Sequence, residues 1–399
     1  MAKKILLFSP PFSGHLNVLK NLIREYQNKF NFHLVITGWK NIAPDLKDIT
    51  IPVTVLAHSD LHETDPALWT LPRTLELLDD CLKVAREEKP DLILYDFFSL
   101  EGNLVGKIID TPYWASIPAL MGSFDQQNYL RAKLEVLSNG SALNGLEQKF
   151  PGVLDKKTIE MISDGLHIPG QKNIIWSYPA LTPKDFMTNR QPADYVFVGH
   201  LNTATVSGGA PITLPRPLVY FSFGTVVMNN LWNQQVEIRG RLRTFVGHLA
   251  ELSKNQNYDI LFVNQGKLIL DSYPSNWRVV AYANQIEALS QASVFITHAG
   301  GNSFHEAVLK KVPMVAIPFF GDQPLVAHQI EALGLGVNLV SDEEIDTKKS
   351  KDFLNEALAE KTSATLANIL EDATQYKHRF DQLQLDSVDL DNLLSSAQK

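Results

Sequence analysis

The chain has 399 residues, 45% of them hydrophobic and 20% charged, with a formal net charge of −8. That length exceeds one ordinary core and suits two domains, and the globular composition excludes a disordered or collagen-like chain. No basic stripe is present to hold nucleic acid or an anionic membrane, and the single cysteine, Cys81, excludes an internal disulfide framework.

The first residues, "MAKKILLFSPPF", carry an apolar run too short for a secretory segment, and no stretch reaches the length of a membrane span. With the lone cysteine this predicts a cytoplasmic protein. "KKILLFS" reads as a buried strand, followed by the loop "PPFSG". A helix comes next, with Leu16, Leu19, Leu22, Ile23 and Tyr26 on one face. "FHLVITG", "IPVTVLA", "DLILYD" and "PYWASIP" repeat the strand theme, with helical segments near 66–88 and 98–109. Residues 121–172 are less regular and read as a cap on the first domain. "NIIWSYPAL" and "YVFVGH" return to strand character.

The segment "LNTATVSGGAPITLPRP" is rich in Gly, Pro, Ser and Thr and reads as a linker. A second strand series follows: "LVYFSFGT", "DILFV", "WRVVAYA", "SVFITHA", "MVAIPFF" and "GVNLV", again with helices between. Strands alternating with helices predict α/β architecture with parallel sheets. The expected division is a Rossmann-like domain over 1–202 and a linker over 203–217. A second Rossmann-like domain follows over 218–380, then a helical tail over 381–399. Ligands of such sheets bind beyond the carboxyl ends of the strands, and the expected site is the cleft between the two domains.

"THAGGNSFHEAV", Thr297 to Val308, turns from strand to helix through two glycines and several polar side chains. A helix N-terminus offers unpaired N–H groups and partial positive charge. Gly300 and Gly301 let an anion approach, Asn302 and Ser303 cap or donate, and His298 adds a donor, which suits a diphosphate. Glu306, one turn later, can accept from ribose hydroxyls. The plainer alternative is a capped helix after a glycine turn. Downstream, Asp322 and Gln323 open another helix after a strand and could cap it or recognise sugar hydroxyls. Upstream, Gln285 opens a short helix, and the ring of Tyr282 could stack on a base.

The segment from about 277 to 336 resembles the signature of the UDP-glycosyltransferases, glycosyltransferase family 1, whose fold is the two-domain GT-B architecture. The matching residues are His298, Gly300, Asn302, Ser303, Glu306, Pro313, Pro318, Asp322, Gln323 and Gly336. The resemblance implies that His298, Asn302 and Ser303 hold the diphosphate, Glu306 the ribose, and Asp322 with Gln323 the donor sugar. "SFGT", with Ser222, Gly224 and Thr225, resembles the family's Ser/Gly loop near the donor phosphates. Tyr282 stands where many members have Trp, Asn284 where they have Pro, Ala299 where they have Gly, and Val326 where Asn is common.

In the first domain, His15 follows "PPFSG" and Asp96 ends "DLILYD". Histidine suits a general base, and an aspartate on its other ring nitrogen would orient it. "GH" with Asn17 resembles the N-terminal motif of bacterial macrolide-type members, although Val18 replaces their frequent Pro. The resemblance implies that His15 is the base and Asp96 its partner. The implied reaction inverts the anomeric carbon and moves a sugar, glucose from UDP-glucose, onto a hydroxyl of a lipophilic small molecule. Phe12, Phe97, Phe98, Trp114, Met121 and Phe124 are the candidate acceptor wall. The nucleotide sugar is a co-substrate, and neither cofactor nor metal is expected. The alternatives are a nucleotide-sugar epimerase of the same architecture and a non-catalytic nucleotide-sugar-binding protein. A serine hydrolase lacks its Gly-x-Ser-x-Gly elbow, and a nicotinamide enzyme lacks Gly-x-Gly-x-x-Gly after its first strand. His298, His305 and His328 are too scattered for a metal site.

Overall fold

A computed structural model of the chain describes residues 2–39, 46, 49–61, 71–118, 140–154, 170–186, 194–201, 216–232, 236–346 and 351–397. Two compact units form, one from Met1–Thr203 with Leu385–Lys399, the other from Ala204–Gln384. Most of the expected linker at 203–217 lies outside the described residues.

The first unit runs β1 (Lys4–Ser9), α1 (Ser13–Tyr26), β2 (Asn31–Gly38), β3 (Val53–Ala57), α2 (Leu71–Glu88), β4 (Leu92–Asp96), α3 (Leu100–Ile108), β5 (Tyr113–Ile117), α4 (Gly140–Lys149), β6 (Lys172–Ile175) and β7 (Tyr195–Phe197). Its seven strands are ordered β3-β2-β1-β4-β5-β6-β7, and every pairing is parallel. β1 shows why. Ile5, Leu6, Leu7 and Phe8 are all fully buried. The pleat sends Leu6 and Phe8 into one core and Ile5 and Leu7 into the other. A strand covered on both faces is apolar throughout rather than alternating.

The second unit begins with β8 (Leu218–Ser222) and a helical turn, Gly224–Val226, that passes into a π-helix, Val227–Leu231. It continues with α5 (Val236–Ser253), β9 (Asp259–Val263), β10 (Trp277–Val280), α6 (Gln285–Gln291), β11 (Ala292–Thr297), α7 (Gly301–Leu309), β12 (Met314–Ala316), α8 (Gln323–Ala332) and β13 (Gly336–Asn338). Helices α9 (Asp342–Asp346), α10 (Glu356–Glu371) and α11 (Ala373–Asp381) complete it. Six strands are ordered β10-β9-β8-β11-β12-β13, again all parallel. The core on one sheet face is aromatic: Phe221 stacks on Phe262 at 4.3 Å and meets Phe223 edge-on at 4.8 Å.

Strand–helix alternation is thus realised in both units, and helix α4 occupies part of the stretch read as irregular. In the C-terminal tail the last helix, α12 (Leu390–Ser396), packs on the first unit through Leu390, Leu394 and Ala397. Asp389 caps that helix by accepting from the Asp391 and Asn392 amides, and Asp391 pairs with Lys29. At the other end Lys3 Nζ donates to the carbonyls of Leu394, Ser395 and Ala397. The tail is therefore held by burial and by charge at both helix ends. Among the described residues no helix is long and apolar enough to cross a membrane.

Leu394 is fully buried in the cluster that holds Trp114 and Trp176. Leu394→Ala should cost about 2–5 kcal/mol, as a Leu→Ala cavity does. Urea unfolding followed by tryptophan fluorescence checks this, and an unmoved midpoint would detach the tail from this core.

Candidate functional site

In the first unit the chemistry gathers where two neighbouring strands end. β1 delivers the chain to α1, whose first turn carries His15, and the adjacent β4 ends on Asp96. Residues 81 apart in sequence thereby meet: His15 Nδ1 lies 2.9 Å from Asp96 Oδ2. Asp96 is fully buried, and its Oδ1 accepts the Phe98 N–H at 2.9 Å. With Nδ1–H donated to the carboxylate, Nε2 is the bare nitrogen, and it has no partner among the described residues. Phe97 stacks on the imidazole at 5.5 Å and Phe98 meets it edge-on at 5.0 Å. Phe12 lies 6.1 Å from it and 5.4 Å from the ring of Trp39.

Of the other expected wall residues, Trp114 requires correction. It is 3% exposed and packs with Leu7, Leu92 and Trp176, because the pleat of β5 turns it into the core. Met121 and Phe124 lie outside the described residues. Trp39 was missed in the sequence reading. Its signal is an aromatic residue directly after the strand "FHLVITG".

The second unit repeats the arrangement at β8 and β11. β8 ends at Ser222, whose Oγ accepts the Gly224 N–H at 3.2 Å. β11 ends at Thr297, and its Oγ1 accepts the Ala299 N–H at 3.1 Å. Ala299 has φ +60° and is fully buried. A left-handed residue at this turn explains why glycine is usual here; the Thr297 bond fixes the turn in an alanine that costs about 1 kcal/mol to hold there. The His298 ring then fits between two glycines. A Cβ on Gly300 would lie 2.4 Å from His298 Nε2, and one on Gly224 2.6 Å from His298 Cε1. His298 Nδ1 is buried with no partner among the described residues. Burial lowers the imidazole from 6.5 to about 4, so near neutral pH it is a neutral donor rather than a cation.

α7 starts after Gly300 with no side chain capping it. Ser303 is not a cap either: its Oγ accepts from Gln285 Nε2 at 3.0 Å, and the same nitrogen donates to Glu306 Oε2 at 2.5 Å. Burial raises the Glu306 carboxyl from 4.5 to about 7, against the opposing pull of the Gln285 bond. Gln285 Oε1 accepts from the Tyr220 hydroxyl at 3.1 Å. Tyr220, inside β8, was also missed; a lone phenol in an apolar strand was its only signal. Tyr282 lies past the end of β10 rather than within it and is 75% exposed, its ring open for stacking. Thr225 is exposed and Asn302 is half-buried. Asp322 sits at the N-cap of α8 without a side-chain capping bond. Gln323 Oε1 is taken by the Phe319 and Phe320 amides at 2.8 and 3.3 Å. Its carbonyl oxygen therefore shapes the loop, which leaves Nε2 as its donor.

Comparison with known proteins bears on this arrangement. Residues 215–372 match the family model described as UDP-glucoronosyl and UDP-glucosyl transferase. The NDP-glycosyltransferase YjiC of Bacillus subtilis (strain 168) is 28% identical over 295 residues, covering 71% of this chain and 68% of the relative. The uncharacterized UDP-glucosyltransferase YdhE of the same strain is 23% identical over 384 residues, covering 89% and 90%. Among solved structures, the calicheamicin glycosyltransferase CalG4 superposes with a TM-score of 0.68 at 17% identity, covering 96% of this chain and 94% of that one. The chain is a glycosyltransferase with the GT-B fold, and its second unit is similar to the UDP-glycosyltransferases.

Three titratable groups on or beside α7, each shifted by desolvation, make the stability of the second unit depend on pH. Burial also lowers His305 to about 4, against its bond to the Gly301 carbonyl at 2.7 Å. A histidine lowered from 6.5 to about 4 removes stability as pH falls below 6.5. Glu306, raised from 4.5 to about 7, contributes stability at low pH that is lost as pH rises through 7. The two histidines and Glu306 therefore act in opposite directions. Glu306→Gln removes the opposing contribution. The variant should gain stability relative to the unmodified chain steadily from pH 4.5 to 7, read from urea unfolding at a series of pH values. A difference that does not vary with pH would contradict the burial of this carboxyl.

Proposed function

We propose that this glycosyltransferase moves glucose from UDP-glucose onto a hydroxyl of a lipophilic small molecule, with inversion at the anomeric carbon. The observation that carries the reading is the His15 imidazole, with Nδ1 committed to Asp96 and Nε2 unpartnered among the described residues. An acceptor hydroxyl is a poor nucleophile until a base takes its proton. In this reading Nε2 removes that proton as the oxygen attacks the anomeric carbon. The bond from that carbon to the diphosphate breaks on the opposite face. Asp96 steadies the imidazolium and holds the tautomer.

Several features support the donor half. The negative charge developing on UDP meets the uncapped start of α7 and the neutral N–H of His298, so this mechanism assigns that role to no metal ion. Glu306 takes ribose hydroxyls, Tyr282 stacks on the base, and Asp322 with the Nε2 of Gln323 holds the sugar. A tyrosine in place of the family's frequent Trp keeps a π-face for uracil. Phe12, Trp39, Phe97 and Phe98 around His15 give the acceptor side an aromatic wall, which favours a lipophilic acceptor.

His15→Ala should lower kcat about 1,000-fold, the scale of a lost general base, and leave the calorimetric affinity for UDP intact. Turnover like that of the unmodified enzyme would remove His15 from the mechanism. With UDP-α-glucose as donor and a permissive phenol as acceptor, the product should be the β-glucoside by its anomeric proton coupling. An α-glucoside would refute inversion.

A further inference from the structure

Tyr220 lies in β8 beside Phe295 of β11 and is 1% exposed. The two rings stack at 4.9 Å with 22° between their planes. Packing alone would be served by phenylalanine, so the buried hydroxyl needs polar partners. Oη donates to Gln285 Oε1 at 3.1 Å. Gln285 Nε2 in turn donates to Ser303 Oγ and Glu306 Oε2. A phenol has a single hydrogen, and here it goes to Gln285 Oε1. The carboxamide must then present both of its N–H bonds to α7.

We propose that Tyr220 is a positioning residue for nucleotide binding. By fixing the carboxamide of Gln285 it holds Ser303 and Glu306 as a ribose requires. The proposal rests on the nucleotide-sugar reading of the second unit. Without the hydroxyl, a flipped Gln285 sets Oε1 against the Glu306 carboxylate, acceptor facing acceptor. The groups that face Glu306 are Tyr220 from β8 and Gln285 from α6. His305 adjoins it on α7, kept neutral by burial and bonded to the Gly301 carbonyl. The Gln285 donation is what opposes burial at Glu306, so its loss moves the carboxyl's titration to higher pH.

The test is Tyr220→Phe, which keeps the ring and its stack on Phe295. In the ligand-free full chain with ¹³C-labelled glutamate carboxyls, the Glu306 signal is identified by its absence in Glu306→Gln. Its midpoint should rise in Tyr220→Phe by about half a pH unit or more. The calorimetric Kd for UDP should rise about 5- to 10-fold, the scale of a lost hydrogen bond. An unmoved midpoint overturns the relay, since a merely structural phenol would change thermal stability and leave this titration alone. A raised midpoint with unchanged UDP affinity overturns the role in binding. A raised midpoint in a protein whose unmodified form binds no UDP supports the relay and overturns the nucleotide reading instead.

Discussion

The His298 ring occupies the space that two glycine Cβ atoms would need. This exclusion governs the second unit's functional end. Gly224 and Gly300 lie on different strand–helix turns, and β8 and β11 are neighbours in the sheet. Neither turn can carry a side chain while the imidazole stays where it is. Gly224 is doubly constrained, because its φ of +71° also favours glycine. Desolvation between them lowers the imidazole so that it stays neutral near pH 7. The result is a donor fixed by packing rather than by a hydrogen-bonded partner, beside the uncapped start of α7.

The first unit solves a similar problem by the same topology. Its strand order reverses between β1 and β4; the second unit's reverses between β8 and β11. At such a switch point the two connecting chains leave toward opposite faces of the sheet and open a crevice beyond the strand ends. His15 and Asp96 sit at one reversal, and Ser222, Gly224, His298 and Gly300 at the other. In each unit, adjacent parallel strands bring together residues far apart in sequence without a dedicated loop. What differs is the chemistry loaded there: a hydrogen-bonded base in one, an anion cradle in the other.

This topology also explains what could be read in advance. Parallel sheets need apolar strands joined by amphipathic helices, and both patterns are overt in segments such as "KKILLFS" and "SVFITHA". Polar residues at strand ends, His15, Asp96 and His298 among them, stand out against that background. Side-chain direction within a buried strand does not. Trp114 in β5 and Phe97 are both buried aromatics, yet only Phe97 stacks on His15, and a strand apolar on both faces gives no alternation to reveal parity. The left-handed turn at Ala299 is equally silent, because only glycine advertises positive φ. Tyr220 and Gln323 were obscured because their roles depend on which hydrogen-bond partner each atom meets. The ties that anchor the tail were equally silent, because Lys3 and Lys29 come from the other end of the sequence.

The two acids, Asp96 and Glu306, show how hydrogen-bond accounting separates positioning from binding. Asp96 spends both carboxyl oxygens inside the first unit, Oδ2 on His15 and Oδ1 on the Phe98 amide. A carboxylate so engaged has little left for a substrate and serves to aim the imidazole. Glu306 spends only Oε2, on Gln285; Oε1 accepts nothing from the described residues. Desolvation makes this carboxyl costly to keep charged, and its raised titration is the expression of that cost. A ligand hydroxyl donated to Oε1 would relieve it. The same functional group in two places thus takes opposite roles: one closed to ligands by complete satisfaction, the other left open by an oxygen without a partner among the described residues.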